Sequence, residues 1–147
     1  MPVLGPNDIF DIEATGLPVA FDMVWCKYPY RQLGKEPGPA ARPCLVRQAF
    51  TRSTLIKGAH FVVGYVNVVY GTKQIDKFDP PQGFHVSDIA EKQACGLTVD
   101  TVFDLQDNMI LPWSPIYFSN QHNRPIIGGR LTVAMQARLK EQAAQLK

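Results

Sequence analysis

Apolar positions along the chain fall into short runs broken by glycine, proline and polar residues, the pattern of a mainly β domain. Residues 1–20 hold Gly5-Pro6, Gly16 and Pro18 and read as an extended arm with no clear helix. Phe21 to Tyr28 mixes aromatic and β-branched residues in partial alternation and predicts a first strand, ended by Pro29. Residues 31–41 carry Gly34, Pro37, Gly38 and Pro39 and predict a loop. Pro43 to Phe50 predicts a second strand. Phe61 to Tyr70 is the most apolar stretch and predicts a central one, with Gly64 marking a bulge or a close backbone approach.

Beyond that strand, Asp76 to Gly83 contains Pro80-Pro81 and reads as a loop, and Phe84 to Val86 as a short strand. Asp88 followed three places on by Glu91 predicts a helix start, and Gly96 a left-handed cap, so a short helix is expected over residues 89–95. Thr101 to Leu105 and Met109 to Leu111 predict two strands, and Pro112-Trp113-Ser114-Pro115 turns the chain away. Residues 119–129 look like loop. From Arg130 to Leu146, the residues Leu131, Ala134, Met135, Leu139, Ala143 and Leu146 fall mostly on one stripe of a C-terminal helix, with Lys147 suited to its end. No repeat and no second domain are legible. The expectation is a single domain over residues 1–147, mainly β, with a short helix and a C-terminal helix.

Composition adds little to this. Hydrophobic residues make up 46% and charged ones 19%, both ordinary for a folded domain. No apolar run reaches the roughly 20 residues needed to span a bilayer. Met1 to Gly16 has acids and no base, unlike a signal peptide, so a soluble cytoplasmic protein is expected. Cys26, Cys44 and Cys95 are odd in number and widely spaced, which predicts buried free thiols rather than disulfides or a zinc site.

The net charge of +2 conceals an uneven layout. Lys27, Arg31, Lys35, Arg42, Arg47, Arg52 and Lys57 form a basic block that holds Glu36 alone as an acid. Acids prevail before it and again between Asp76 and Asp107. Such a block can supply phosphate contacts, or be a solvated face balanced by the acidic segments after folding.

Most chemical templates find no match. The chain has no GxxxxGK[ST], no GxGxxG after a strand, no HExxH and no GxSxG. His60, His85 and His122 are scattered, so no metal site is expected and no cofactor is implied. There remain Arg42, after the Gly/Pro loop, and Thr72, after the most apolar strand. An arginine fork can grip a phosphate and a threonine hydroxyl can donate to it. Together they can stabilise the charge that forms when a ribose 2′-OH attacks its own phosphate. A surface ion pair and a turn residue are the plain alternatives.

The segment Asp22 to Val46 resembles the opening of MazF/PemK toxins, in which a first strand and a Gly-rich loop lead to Arg-Pro-x-Leu-Val, here Arg42-Pro43-Cys44-Leu45-Val46. The apolar run ending in Thr72 looks like that family's next long strand, which closes on a catalytic threonine or serine. Gly96 to Val102 looks like its Gly-x-x-x-Asp/Pro-Ser-Val stretch. The order and spacing match over roughly residues 22–113 plus the helix. The resemblance implies an SH3-like β-barrel of the MazF/CcdB type over residues 21–118, with a C-terminal helix over 130–146, usually as a homodimer. It implies metal-independent cleavage of single-stranded RNA to a 2′,3′-cyclic phosphate, and inhibition by a cognate antitoxin. Carried across, Arg42 is general acid/base and phosphate clamp and Thr72 stabilises the transition state. Lys35, Lys73 and Gln74 are candidate RNA contacts.

Two other readings stay open. One is a non-catalytic barrel that binds a protein or nucleic acid, with Trp25, Trp113, Tyr28 and Tyr30 as contacts or as core. The other is a toxin acting on a protein target such as DNA gyrase, as the CcdB relatives of that fold do.

Overall fold

A computed structural model of the chain describes residues 4–30, 36–119 and 125–146. Six strands, β1 (Asp22–Cys26), β2 (Arg42–Ile56), β3 (Ala59–Thr72), β4 (Gly83–Val86), β5 (Thr101–Pro112) and β6 (Ile127–Arg130), form one antiparallel sheet in the order β4-β5-β3-β2-β1-β6. The helices are α1 (Ile12–Thr15), α2 (Ile89–Cys95) and α3 (Val133–Ala144). Among the described residues the outer strands β4 and β6 do not pair with each other, so the sheet is open. No helix among them is long and apolar enough to cross a membrane.

The expected strands are present, and two are longer than the apolar pattern indicated. β2 and β3 continue past their apolar halves as a hairpin closed by Lys57 and Gly58, both at positive φ (47° and 83°). Two residues in that region give the tight turn whose twist matches paired strands. Backbone pairing therefore carries the exposed stretch Thr51 to Leu55 into the sheet, although its side chains bury little. β5 is one strand where two were expected. The polar residues between its apolar halves are absorbed as an irregularity, since pairing with β3 steps from Val69↔Asn108 to Gly71↔Phe103. The Asp104 carboxylate accepts bonds from Gln82 (2.9 Å) and from the Gln106 N–H (3.0 Å) there.

Each face of the sheet carries its own core. On one face Val24, Cys26, Cys44, Val66, Val68 and Leu111 pack with Trp113, Tyr117 and Phe118. The N-terminal arm covers this face and is not a loose leader. Phe10 lies against Trp113 at 5.0 Å between ring centroids, and the Trp113 indole N–H donates to Gly16 O at 3.0 Å. Asp11 caps the single helical turn α1, which the sequence pattern did not reveal.

On the other face Met23, Leu45, Val69, Phe84 and Phe103 lie under α2 and α3, which contribute Cys95, Met135 and Leu139. α2 begins and ends as its sequence predicts: Asp88 accepts from the Glu91 N–H, and Gly96 takes the left-handed conformation. α3 starts at Val133 rather than Arg130, because Thr132 caps it and residues 127–130 form the edge strand β6 instead of a loop. Gly129 makes that strand possible: a Cβ there would lie 2.3 Å from Ala94 O, so only glycine lets β6 approach the end of α2.

Candidate functional site

β2 and β3 are paired with Cys44 opposite Tyr70. That pair is the last of the β2–β3 ladder, and Arg42 and Thr72 each lie two residues beyond it, where Arg42 pairs with Cys26 of β1 and Thr72 with Val102 of β5. Pro43 and Gly71 are packed backbone to backbone, since a Cβ on Gly71 would lie 2.1 Å from Pro43 O and 2.7 Å from the Phe103 ring. Glycine is required for this approach, which lies beside both Arg42 and Thr72 in sequence.

Side-chain parity places Arg42, Cys44, Tyr70 and Thr72 on the face that also buries Cys26 and Tyr28. The Arg42 guanidinium carbon stands 5.6 Å from the centre of the Tyr70 ring, within cation–π range. Tyr70 in turn packs on Tyr28 at 5.3 Å and 59°. The Tyr28 hydroxyl donates to the Asp107 carboxylate at 2.7 Å. A chain of contacts thus runs from Asp107 on β5 through two tyrosines to Arg42 on β2. Burial, and then the bond to Asp107, push the Tyr28 hydroxyl far above its ordinary pKa, so it stays a neutral donor.

Arg42 is half-buried and makes no ion pair among the described residues. Thr72 is only 2% exposed, and its hydroxyl oxygen accepts the Gln74 N–H at 3.2 Å. The hydroxyl proton remains available to donate. Lys73 and Gln74 are exposed immediately beside it. Together these residues offer a planar cation, a hydroxyl donor, an ammonium and an amide, a set suited to a phosphate ester.

The remaining candidates are dispersed. Lys35 and His122 lie outside the described residues. His60 is exposed near the hairpin turn, and a ring nitrogen of His85 bonds Phe78 O at 2.8 Å. No group of three His, Cys, Asp or Glu side chains among the described residues could hold a metal ion. Cys26, Cys44 and Cys95 are free and buried, as expected. Burial and the neighbouring Cys44 raise the Cys26 thiol, and burial pushes Cys95 up to about 11. Trp113 and Tyr28 belong to the core, Trp25 is half-buried, and Tyr30 is the exposed member of the four aromatics.

Among the described residues, three arginines of the basic block have different surroundings. Arg42 stands over Tyr70, Arg47 lines a cleft beside α3, and Arg52 lies over Phe50 in the hairpin. Two clefts, of about 550 Å³ and about 440 Å³, lie beside α3 and beside the N-terminal arm, and neither includes Arg42 or Thr72. Sequence reasoning missed Tyr70 and Asp107. Tyr70 carried a signal, as the last aromatic of an apolar strand just before Gly71-Thr72, whereas nothing local marks Asp107. Neither a scan against protein-family models nor a search of curated proteins returns a match to this chain.

Proposed function

We propose that the protein is a metal-independent endoribonuclease of the MazF/PemK toxin type, acting on single-stranded RNA. The observation that supports this reading is the close approach of Gly71 to Pro43, beside which Arg42 and Thr72 each lie two residues beyond the Cys44–Tyr70 pair, with Arg42 over the Tyr70 ring. On this reading the sheet is that of an SH3-like barrel, and the chain acts in the cytoplasm as a homodimer restrained by an antitoxin.

The chemistry follows from the residue types. The ribose 2′-oxygen attacks the adjacent phosphorus and the bond to the 5′-oxygen breaks, leaving a 2′,3′-cyclic phosphate and a 5′-hydroxyl. The 2′-proton passes to solvent and the departing oxygen takes a proton. The planar guanidinium fork of Arg42 acts as a phosphate clamp and donates a hydrogen bond to the departing oxygen. Thr72 donates its hydroxyl to a phosphoryl oxygen as charge builds there. Lys73 and Gln74 hold the flanking nucleotides.

A second reading rests on the burial of Thr72, whose hydroxyl already serves Gln74: a barrel that binds nucleic acid or protein without cutting. One experiment separates the two. The full chain is incubated with long single-stranded RNA in EDTA, beside Arg42→Ala and Thr72→Ala. Cleavage that each variant lowers by about 100-fold or more supports the nuclease, in line with loss of a transition-state donor. Binding without cleavage on several RNAs moves the assignment to the second reading.

A further inference from the structure

The cleft beside α3 shares no residue with the Arg42–Thr72 pair, and its chemistry is different. Its volume of about 550 Å³ is that of a small-molecule site. Leu45 and Val69, both buried, give it an apolar floor on the sheet, and Leu131 and Leu139 line it as well. Ala143 and Ala144 line the last turn of α3, and their small side chains leave the space open.

Its polar lining has one sign of charge. Among the described residues the lining includes Arg47 and Lys140 and no carboxylate. Arg47 is exposed and has no ion pair among the described residues. It sits where β2 steps register between Val46 and Gln48. The Lys140 ammonium stands 5.4 Å from the centre of the Phe21 ring, which also lines the cleft. The nearby Asp22 carboxylate is engaged elsewhere, by Arg130 at 3.2 Å and by the Val19 N–H at 2.9 Å.

Phe21 supplies a second observation. Its φ is 75°, in the left-handed region that an aromatic residue rarely adopts. Two backbone bonds hold it there: its N–H donates to Val46 O at 2.9 Å, and its carbonyl accepts the Leu131 N–H at 3.0 Å. Strain of this kind concentrates at ligand sites, where the surrounding structure fixes a side chain in position.

We propose that this cleft binds an amphiphilic anion, an apolar body of roughly ten to sixteen carbons with one anionic head, the size a cleft of this volume encloses. The body displaces water from the leucine and valine walls. The head, a carboxylate or a phosphate, is held by Arg47 and Lys140 through charge-assisted hydrogen bonds.

The test is calorimetric titration of the full chain with decanoate, decyl phosphate and decylammonium, each below its micelle concentration. Both anions bind with one site per chain, and decylammonium binds at least tenfold more weakly. The double variant Arg47→Gln/Lys140→Gln, which changes two exposed side chains, with its fold checked by circular dichroism, weakens anion binding at least tenfold. Ala143→Phe, with its fold checked by circular dichroism, abolishes it by filling the cleft. Tighter binding of decanoate supports the proposal with a carboxylate head, and tighter binding of decyl phosphate supports it with a phosphate head. No binding of either anion overturns it, as does equal binding of decylammonium or indifference to the loss of both cations.

Discussion

The Tyr28 hydroxyl donates a 2.7 Å hydrogen bond to the Asp107 carboxylate, joining residues 79 positions apart in sequence. Tyr28 follows β1 and Asp107 lies on β5, so the bond crosses the sheet over β2 and β3. It holds the aromatic stack on which Arg42 rests.

Burial of the Tyr28 hydroxyl, and then this bond, make stability depend on alkali. The folded pKa of Tyr28 lies above the unfolded value of about 10, so its contribution is complete below that pH and declines as pH rises beyond it. Tyr28→Phe is expected to cost about 1.5–3 kcal/mol at pH 7, the range for a hydrogen bond to a charged group. Urea denaturation at pH 7 and at pH 11 checks this. The gap between wild type and variant narrows at the higher pH, and a constant gap contradicts the argument.

Gly71→Ala places a methyl group against Pro43 O and the Phe103 ring. The strands must separate there, next to Arg42 and Thr72. The expected loss is about 1–3 kcal/mol, as for other overpacked sites. Thermal melting gives the stability, and an RNA cleavage assay shows whether activity falls further than the folded fraction does.

Tyr70 gives a more selective test of the Arg42 geometry. Tyr70→Leu keeps an apolar residue on β3 but removes the ring beneath the guanidinium. If Arg42 acts on a phosphate, cleavage drops about 10- to 100-fold, the usual effect of a misplaced group, while the melting temperature shifts little. Arg42→Lys is expected to do no better, because an ammonium has no planar fork to stack or to bind two oxygens. Full activity in either variant separates the ring stack from the chemistry.

The sheet was largely legible because burial and backbone pairing agree along most of it. In β3, Val66 and Val68 meet the core on one face and Val69 the core on the other, which fits its apolar run. The reading failed where the two signals part. Thr51 to Leu55 are strand through hydrogen bonding to β3 alone, and Ile127 to Arg130 are strand because two glycines fit the end of α2. Arg42 and Thr72 were singled out by their places after a Gly/Pro loop and after the most apolar strand, together with the family resemblance. Their support was not, because Asp107 and Tyr28 meet only in the folded chain. The stripe drawn for the C-terminal helix holds at Met135 and Leu139, whereas Leu131 is buried but precedes the helix and Ala134 is exposed. The polar anchors of that helix had no periodic signal at all.

Asn67 sits in the middle of β3 between Gln48 and Ile110, and its amide oxygen is buried without a hydrogen-bond partner among the described residues. A desolvated acceptor of this kind costs stability. Asn67→Val removes it and suits the strand better. The expected outcome is a stability unchanged or raised by up to about 1 kcal/mol, measured as a higher urea midpoint with the same slope. A loss larger than that assigns the amide a bond that holds the sheet.

Arg138 ties α3 to α2 and to β4. Its two terminal nitrogens reach both Glu91 oxygens at 2.9 and 3.1 Å, one of them also reaches His85 O at 3.1 Å, and its carbon lies 4.7 Å from the Phe84 ring centre. The Glu91 side chain is 22% exposed and that of Arg138 40%, so salt screens the pair only in part. Arg138→Ala is expected to cost about 1–3 kcal/mol. Arg138→Lys recovers the charge but not the fork, and stays well below wild type. A double-mutant cycle with Glu91→Ala should return a coupling of about 1 kcal/mol or more, as residues in direct contact do. If Arg138→Lys melts with the wild type, the clamp is ordinary surface charge, and the docking of α3 rests on Leu131, Met135 and Leu139.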